Sequence, residues 1–312
     1  MRNMSVVARM GLVVGALLLA TAEISNAQTK AAAPAAGGTT FTVTAVGKKG
    51  GPPALNRDDI QFFQGKEKKQ ILDWNKGEQL ALAILIDDSL DATVASNWSD
   101  LKEFIMAQPA STLIAVGYLR NNTTMMAQDF TSDHALAAKA LRLPLGLGGI
   151  GSSPYLATMD MLKRWPETGA RRSVLLISSG IDYFRGGGFG PFSPDLDPLI
   201  QRAERQNTNI WSIYYPSSSH RGRGFFVLNN AQNNLDKLAE DTGAESFYLG
   251  FGTPVNLKPY FDEVAQHLSN QYLLTFAGSG GGKGKYQSVK VKTEAPEVEL
   301  LTPAAVYVQP SK

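Results

Sequence analysis

Residues 81–91, Ala-Leu-Ala-Ile-Leu-Ile-Asp-Asp-Ser-Leu-Asp, constrain the fold more than any other stretch of this chain. Six apolar residues follow one another with no polar alternation, then give way to five positions rich in side-chain oxygen. A run of this kind predicts a strand buried on both faces, as in a parallel sheet covered by helices. In open α/β sheets, ligands gather beyond the carboxyl ends of such strands. Asp87, Ser89 and Asp91 are therefore expected on one loop at the functional edge, with alternate side chains facing one point. Carboxylate and hydroxyl oxygens suit hard cations, so the loop is a candidate for Mg²⁺ or Ca²⁺. The competing reading is a metal-free turn, in which Ser and Asp side chains bond to turn amides and cap a helix.

From Gln79 onward, strands alternate with helices. Strands are expected at 81–86, 112–118, 173–178, 209–215 and 246–249, with a short edge strand at 123–130. Helices are expected at 99–107, capped by Ser99, and at 154–164, 196–206, 231–241 and 257–269. This rhythm predicts a doubly wound, mostly parallel α/β sheet with right-handed crossovers. On either side the pattern is β only. Residues 41–46, 60–63 and 70–74 read as strands before the block, the last two meeting across a turn at Gly65-Lys66. Residues 272–276, 286–293 and 298–308 read as strands after it. The two flanks are expected to pair into one accessory antiparallel β-sandwich. The chain thus divides into 1–27, a linker at 28–40, β segments at 41–77 and 271–312, and an α/β domain at 78–270.

Residues 1–27 carry the three parts of a secretory signal: Arg2 and Arg9, an apolar run from Gly11 to Ala22, and small residues before Ala27. Cleavage is expected after Ala27, with Ala22 as a competing site, and the product is expected in the periplasm or outside the cell. No later stretch reaches the ~20 apolar residues of a membrane helix. The chain has no cysteine, which excludes disulfides, thiol catalysis and Cys-ligated zinc. A formal charge of +2 over 312 residues offers no polyanion-binding face, so nucleic acid is not an expected partner.

The order of elements resembles one family, the bacterial proteins that carry a von Willebrand factor type A domain between β flanks. The resemblance rests on FTVTAVGKKG…LNRDDIQFFQGKEKKQI before the domain and LAILIDDS at the metal loop. It continues with LDKLAEDTGAESFYL and LSNQYLLTF…GKYQSVKVKT…AVYVQP, and so covers most of 41–310. It implies a non-enzymatic module that binds a protein or cell-envelope component, often through a divalent ion completed by a partner's carboxylate. Asp87 and Ser89 match the first two ligands of the family's metal motif. Asp91 stands where a serine is usual, and Ser152 in Gly151-Ser152-Ser153-Pro154-Tyr155 stands at the hydroxyl ligand. Ser179-Gly180 replaces the usual Asp-Gly, a lost carboxylate that Asp182 would have to make good. The resemblance therefore implies a degenerate site.

Two Gly-rich segments, 184–192 and 220–226, follow strand ends and place Arg185, Phe189, Arg221 and Arg223 on the same edge, as candidates for partner contact. A rival reading is a serine hydrolase using Ser152 or Ser179 with His220. Against it, there is no Gly-x-Ser-x-Gly elbow and no His-Glu-x-x-His, and the only histidines are His134, His220 and His267. His267 is expected to be a partly buried or surface residue of an amphipathic helix. The formal Gly-x-Gly-x-x-Gly at 146–151 lacks the preceding strand that a dinucleotide site needs.

Overall fold

A computed structural model describes residues 38–47, 53, 55–77, 79–146, 152–185, 190–219, 224–248, 250, 252–278 and 283–310. The expected signal segment and all of the linker before Gly38 lie outside the described residues. The flank before the α/β block supplies β1 (Gly38–Gly47), β2 (Ile60–Gln64), β3 (Glu67–Lys69) and β4 (Ile71–Asn75). The block itself runs β5 (Leu80–Asp87), α1 (Trp98–Met106), β6 (Leu113–Arg120), β7 (Thr123–Thr131), α2 (His134–Lys139), α3 (Pro154–Met161) and β8 (Arg171–Ser178). It continues with α4 (Leu196–Arg205), β9 (Thr208–Tyr214), α5 (Phe225–Asp241), β10 (Ser246–Phe247) and α6 (Lys258–Ser269). The closing flank holds β11 (Gln271–Ala277), β12 (Lys285–Thr293), β13 (Val298–Leu301) and β14 (Ala305–Val308).

The central sheet has six strands in the order β10-β9-β8-β5-β6-β7, all parallel except the edge strand β7. Every residue of β5 is buried, as its unbroken apolar run requires. Leu82, Ile84 and Ile86 face α1 and α6 together with Leu101, Phe104, Val264 and Leu268. Ala83 and Leu85 face the other layer, with Tyr155, Met161, Leu199 and Leu235 of α3, α4 and α5. The strand is thus clamped between two helix layers.

The flanks form two four-stranded sheets, β13-β1-β11-β4 and β14-β12-β2-β3, in which every pairing is antiparallel. Their inner faces share one core, in which Phe41, Phe62 and Phe276 meet at centroid distances of 4.5–6.1 Å. The expected sandwich is therefore present, with strand boundaries that differ from the sequence reading. The turn at Gly65-Lys66 joins β2 to the short β3, not to the strand at 70–74. That strand, β4, crosses to the opposite sheet, where Trp74 stacks on Tyr272. Residues 298–308 are two strands in different sheets, separated at Pro303, which has no N–H to continue a ladder. Gly38, Thr39 and Thr40, assigned from composition to the linker, extend β1 against Ala277, Phe276 and Thr275.

Smaller corrections concern the helices. Ser99 does not cap α1; it lies inside the helix, and Asn97 occupies the capping position. The six-residue α2 was not expected from the sequence, although Asp133 caps it through Ala135 N and Leu136 N. No helix among the described residues is long and apolar enough to cross a membrane.

Candidate functional site

Because β5, β6, β8 and β9 are parallel, the loops that follow them emerge at one edge. Backbone hydrogen bonds tie these loops together. Asp91 N donates to Pro216 O, Ser218 N to Ser89 O, Gly146 N to Asp88 O, and Phe184 N to Ser152 O. The amino end of α3 joins them, since Ser153 N donates to Asn122 Oδ1 at 2.7 Å, just beyond β6. Asp87, Ser89, Asp91, Ser152, Ser179 and Asp182 accordingly all belong to this edge.

Asp87 sits at its centre and is almost fully buried. Its Oδ1 accepts from Ser89 N at 2.9 Å and its Oδ2 from Ser178 Oγ at 2.8 Å. Burial raises the pKa of this carboxyl above the ordinary aspartate value. The Ser89 amide and the neighbouring Ser89 and Ser178 hydroxyls oppose that rise. The Ser89 hydroxyl lies near the carboxylate but makes no hydrogen bond of normal geometry, and its oxygen is buried. Tyr155 bridges the layers beneath, with its hydroxyl donating to Gly180 O at 2.7 Å. Burial, then the charges of Asp182 and Asp87, push this phenol well above its usual pKa.

The other oxygen donors expected at a cation are committed elsewhere. Asp91 Oδ1 accepts from Thr93 N at 2.9 Å and from Thr93 Oγ1 at 2.7 Å, capping a short 3₁₀ turn, Ala92–Asn97. Asp182 accepts from Arg185 N at 3.1 Å and from the Ser193 hydroxyl. The serine bonded to Asp87 is Ser178, whereas Ser179 Oγ accepts from Ile181 N at 3.4 Å. Asp88, which the motif reading passed over, is held by Arg142 through paired contacts of 2.7 and 2.9 Å, with the guanidinium 3.6 Å from the Tyr118 ring centre. Ser152 is half-buried and contributes its carbonyl to the Phe184 bond.

Arg185 pairs with Asp195 at 2.9 and 3.0 Å and lies over the Phe184 ring, so its charge is already answered within the chain. Phe189, His220, Arg221 and Arg223 fall outside the described residues. Ser179 is fully buried, which does not suit a nucleophile that must meet substrate. His134 is also buried, with its ring nitrogen 2.9 Å from Thr112 O. His267 is buried too, rather than partly exposed, and packs against Trp211 of β9 and Phe247 of β10.

The segments 184–192 and 220–226, read from the sequence as partner contacts, do carry exposed aromatics at this edge, and sequence reasoning missed only the leucines beside them. Leu143 and Leu145, Phe184 and Phe192, and Phe225 and Phe226 are between 45% and 79% exposed, on the loops beside Asp88, after β8 and at the start of α5. The signal was present as bulky residues flanking glycine-rich segments.

No protein-family model and no curated protein matches the sequence. Solved structures do resemble the fold. A von Willebrand factor type A structure from Catenulispora acidiphila is 14% identical, with a TM-score of 0.45, covering 81% of this chain and 74% of that one. The likeness is to von Willebrand factor type A structures. The vWF domain of the type V pili tip protein Mfa5 from Porphyromonas gingivalis is 15% identical, with a TM-score of 0.44, over 61% of this chain and 95% of that one. The conserved hypothetical protein BatB from Bacteroides thetaiotaomicron is 12% identical, with a TM-score of 0.46, over 61% and 97%.

Proposed function

We propose that this chain is an exported, non-enzymatic module of the von Willebrand factor type A kind, which binds a protein or envelope component through the edge around Asp87. The observation that carries the reading is the set of exposed leucines and phenylalanines on that edge. Large apolar side chains clustered on loops of a rigid sheet are the usual anchors of protein recognition. The described parts of these loops are held by hydrogen bonds to one another, which lowers the ordering entropy lost there on docking. Arg185, Phe189, Arg221 and Arg223 would line the same surface, and the β flanks at 41–77 and 271–312 would act as its mount.

The donor set supports at most a weak ion. Asp91 and Asp182 are engaged with Thr93, Arg185 and Ser193, so a cation would have Asp87, shared with its Ser89 and Ser178 donors, and the Ser89 hydroxyl, while Ser179 would have to reorient to join them. One carboxylate and one hydroxyl suit a Mg²⁺ or Ca²⁺ that keeps most of its water, not a tightly held resident.

The test is capture from a cell-envelope extract with the wild type and with a Phe184→Ser/Phe192→Ser/Phe226→Ser variant. These side chains are exposed, so the fold should survive. A protein retained by the wild type and lost by the variant is expected. Equal retention by both would sink the reading.

A further inference from the structure

A second cluster lies beside β10, the outermost strand of the central sheet, where α6 packs against β9 and β10. Glu245 immediately precedes β10, and Glu263 and His267 lie one turn apart on α6, where an i, i+4 spacing brings side chains to one face. One nitrogen of His267 and one carboxylate oxygen from each glutamate lie within 4.8 Å of one another. His267 is 2% exposed, yet its Nδ1 has no hydrogen-bond partner. That atom is 3.8 Å from Glu245 Oε2, too far for a hydrogen bond. A buried imidazole nitrogen facing two carboxylates without a partner leaves a polar group to be explained.

We infer that Glu245, Glu263 and His267 form a binding site for a divalent transition-metal ion of the zinc type. Imidazole with two carboxylates is a donor set for Zn²⁺ rather than for Mg²⁺ or Ca²⁺, which prefer oxygen alone. At bond lengths of about 2.0–2.2 Å, tetrahedral ligand atoms stand roughly 3.4 Å apart. The present spacing needs only a modest inward swing of the glutamates. Both can swing, since Glu263 is exposed and the Glu245 side chain is 44% exposed. His267 is anchored by packing against Trp211 and Phe247, so it would serve as the fixed ligand.

The surroundings favour a cation. Glu263 lines two clefts of about 420 and 390 Å³, the first shared with His267 and the second with Glu245, and these give an ion access. The second cleft adds Asp236, Glu240 and Glu299, and no lysine or arginine among the described residues pairs with Glu245 or Glu263. The carboxylates of Glu263 and Glu299 stand near that of Glu245, a like-charge repulsion that a bound dication would offset.

Calorimetric titration of the full protein with ZnCl₂, in millimolar MgCl₂, tests the site. One zinc per chain is expected, with affinity falling at least tenfold in Glu245→Gln and in Glu263→Gln. Asp262→Asn, which removes a neighbouring charge but no ligand, should leave affinity within twofold. Because His267 is buried and its replacement could unfold the chain, the two glutamate variants carry the test, with thermal melts confirming their fold. Titration with Co²⁺ should give visible absorption bands that Glu263→Gln abolishes. Absence of zinc binding, unchanged affinity in both glutamate variants, or an equal loss in Asp262→Asn would each overturn the assignment.

Discussion

Ser178 and Asp87, ninety-one positions apart in the chain, are joined by a 2.8 Å hydrogen bond from hydroxyl to carboxylate. They are the last residues of adjacent parallel strands, one step beyond the Ile177 and Ile86 pair. Ser178 is also bonded from Gly180 N, so it connects the carboxylate to the start of the next loop. Ser178→Ala should cost about 1–3 kcal/mol, the usual range for stranding a buried acceptor. The loss should be larger at pH 7 than at pH 4. The Asp87 pKa is already raised, and removing the hydroxyl raises it further, which penalises folding mainly where the unfolded carboxyl is ionised. Urea unfolding at the two pH values measures both effects, and an equal loss at both would refute the second.

Arg142 answers Asp88 at the same edge. Asp88 is almost fully buried while the Arg142 side chain is 39% exposed, so the pair is anchored from the carboxylate side. Arg142→Ala leaves a buried charge without its cation and should destabilise by about 2–3 kcal/mol, less than a fully buried pair because water reaches the arginine. Adding Asp88→Asn should recover part of that loss. A double variant as unstable as the sum of the singles would show that the two residues do not act together.

Much of this edge was legible in the sequence, and the reason is β5. An unbroken apolar run can be satisfied only between two helix layers, which fixes where its carboxyl end and Asp87 must lie. The choice between Ser178 and Ser179 was not legible from motif position. It depends on register, and only matching the ends of β5 and β8 would have singled out Ser178. Nor could the roles of Asp91 and Asp182 be read locally. Asp91 fits equally a metal ligand and the cap it makes with Thr93, while Asp182 is claimed by Ser193, eleven residues on. The exchange of β4 between sheets is likewise a long-range choice, made by the pairing of Ile71 with Phe276 and of Trp74 with Leu274.

Gly180 shows what the loop after β8 tolerates. Its φ is +67°, and a Cβ there would stand 2.5 Å from Ala231 O and 2.9 Å from Leu235 on α5. Left-handed backbone is costly for a residue with a side chain, and the carbonyl in the way belongs to a helix that cannot shift alone. Gly180→Ala should therefore cost at least about 2 kcal/mol and disturb the Tyr155 bond to the Gly180 carbonyl. A thermal midpoint within 1 °C of the wild type, about the resolution of a melt, would show that α5 yields.

Two titrations should shape stability against pH in opposite senses. Burial raises Glu204 to about 7, although its Oε1 accepts from Ala305 N at 3.0 Å and so ties α4 to β14. Its folded value exceeds its unfolded one, so its contribution is present below about pH 4.5 and is lost as pH rises through 7. Burial lowers His267 to about 4, so the folded state holds it neutral, and stability falls as pH drops from 6.5 toward 4. Glu204→Gln keeps an acceptor for Ala305 N without the buried charge. It should raise stability by about 1–2 kcal/mol at pH 8 and change little at pH 4. Guanidinium unfolding across that range checks the sign, and a gain confined to acid pH would contradict the assignment. The acid loss at His267 should begin at the wild-type pH in Glu204→Gln, because the two groups lie on different elements and titrate independently.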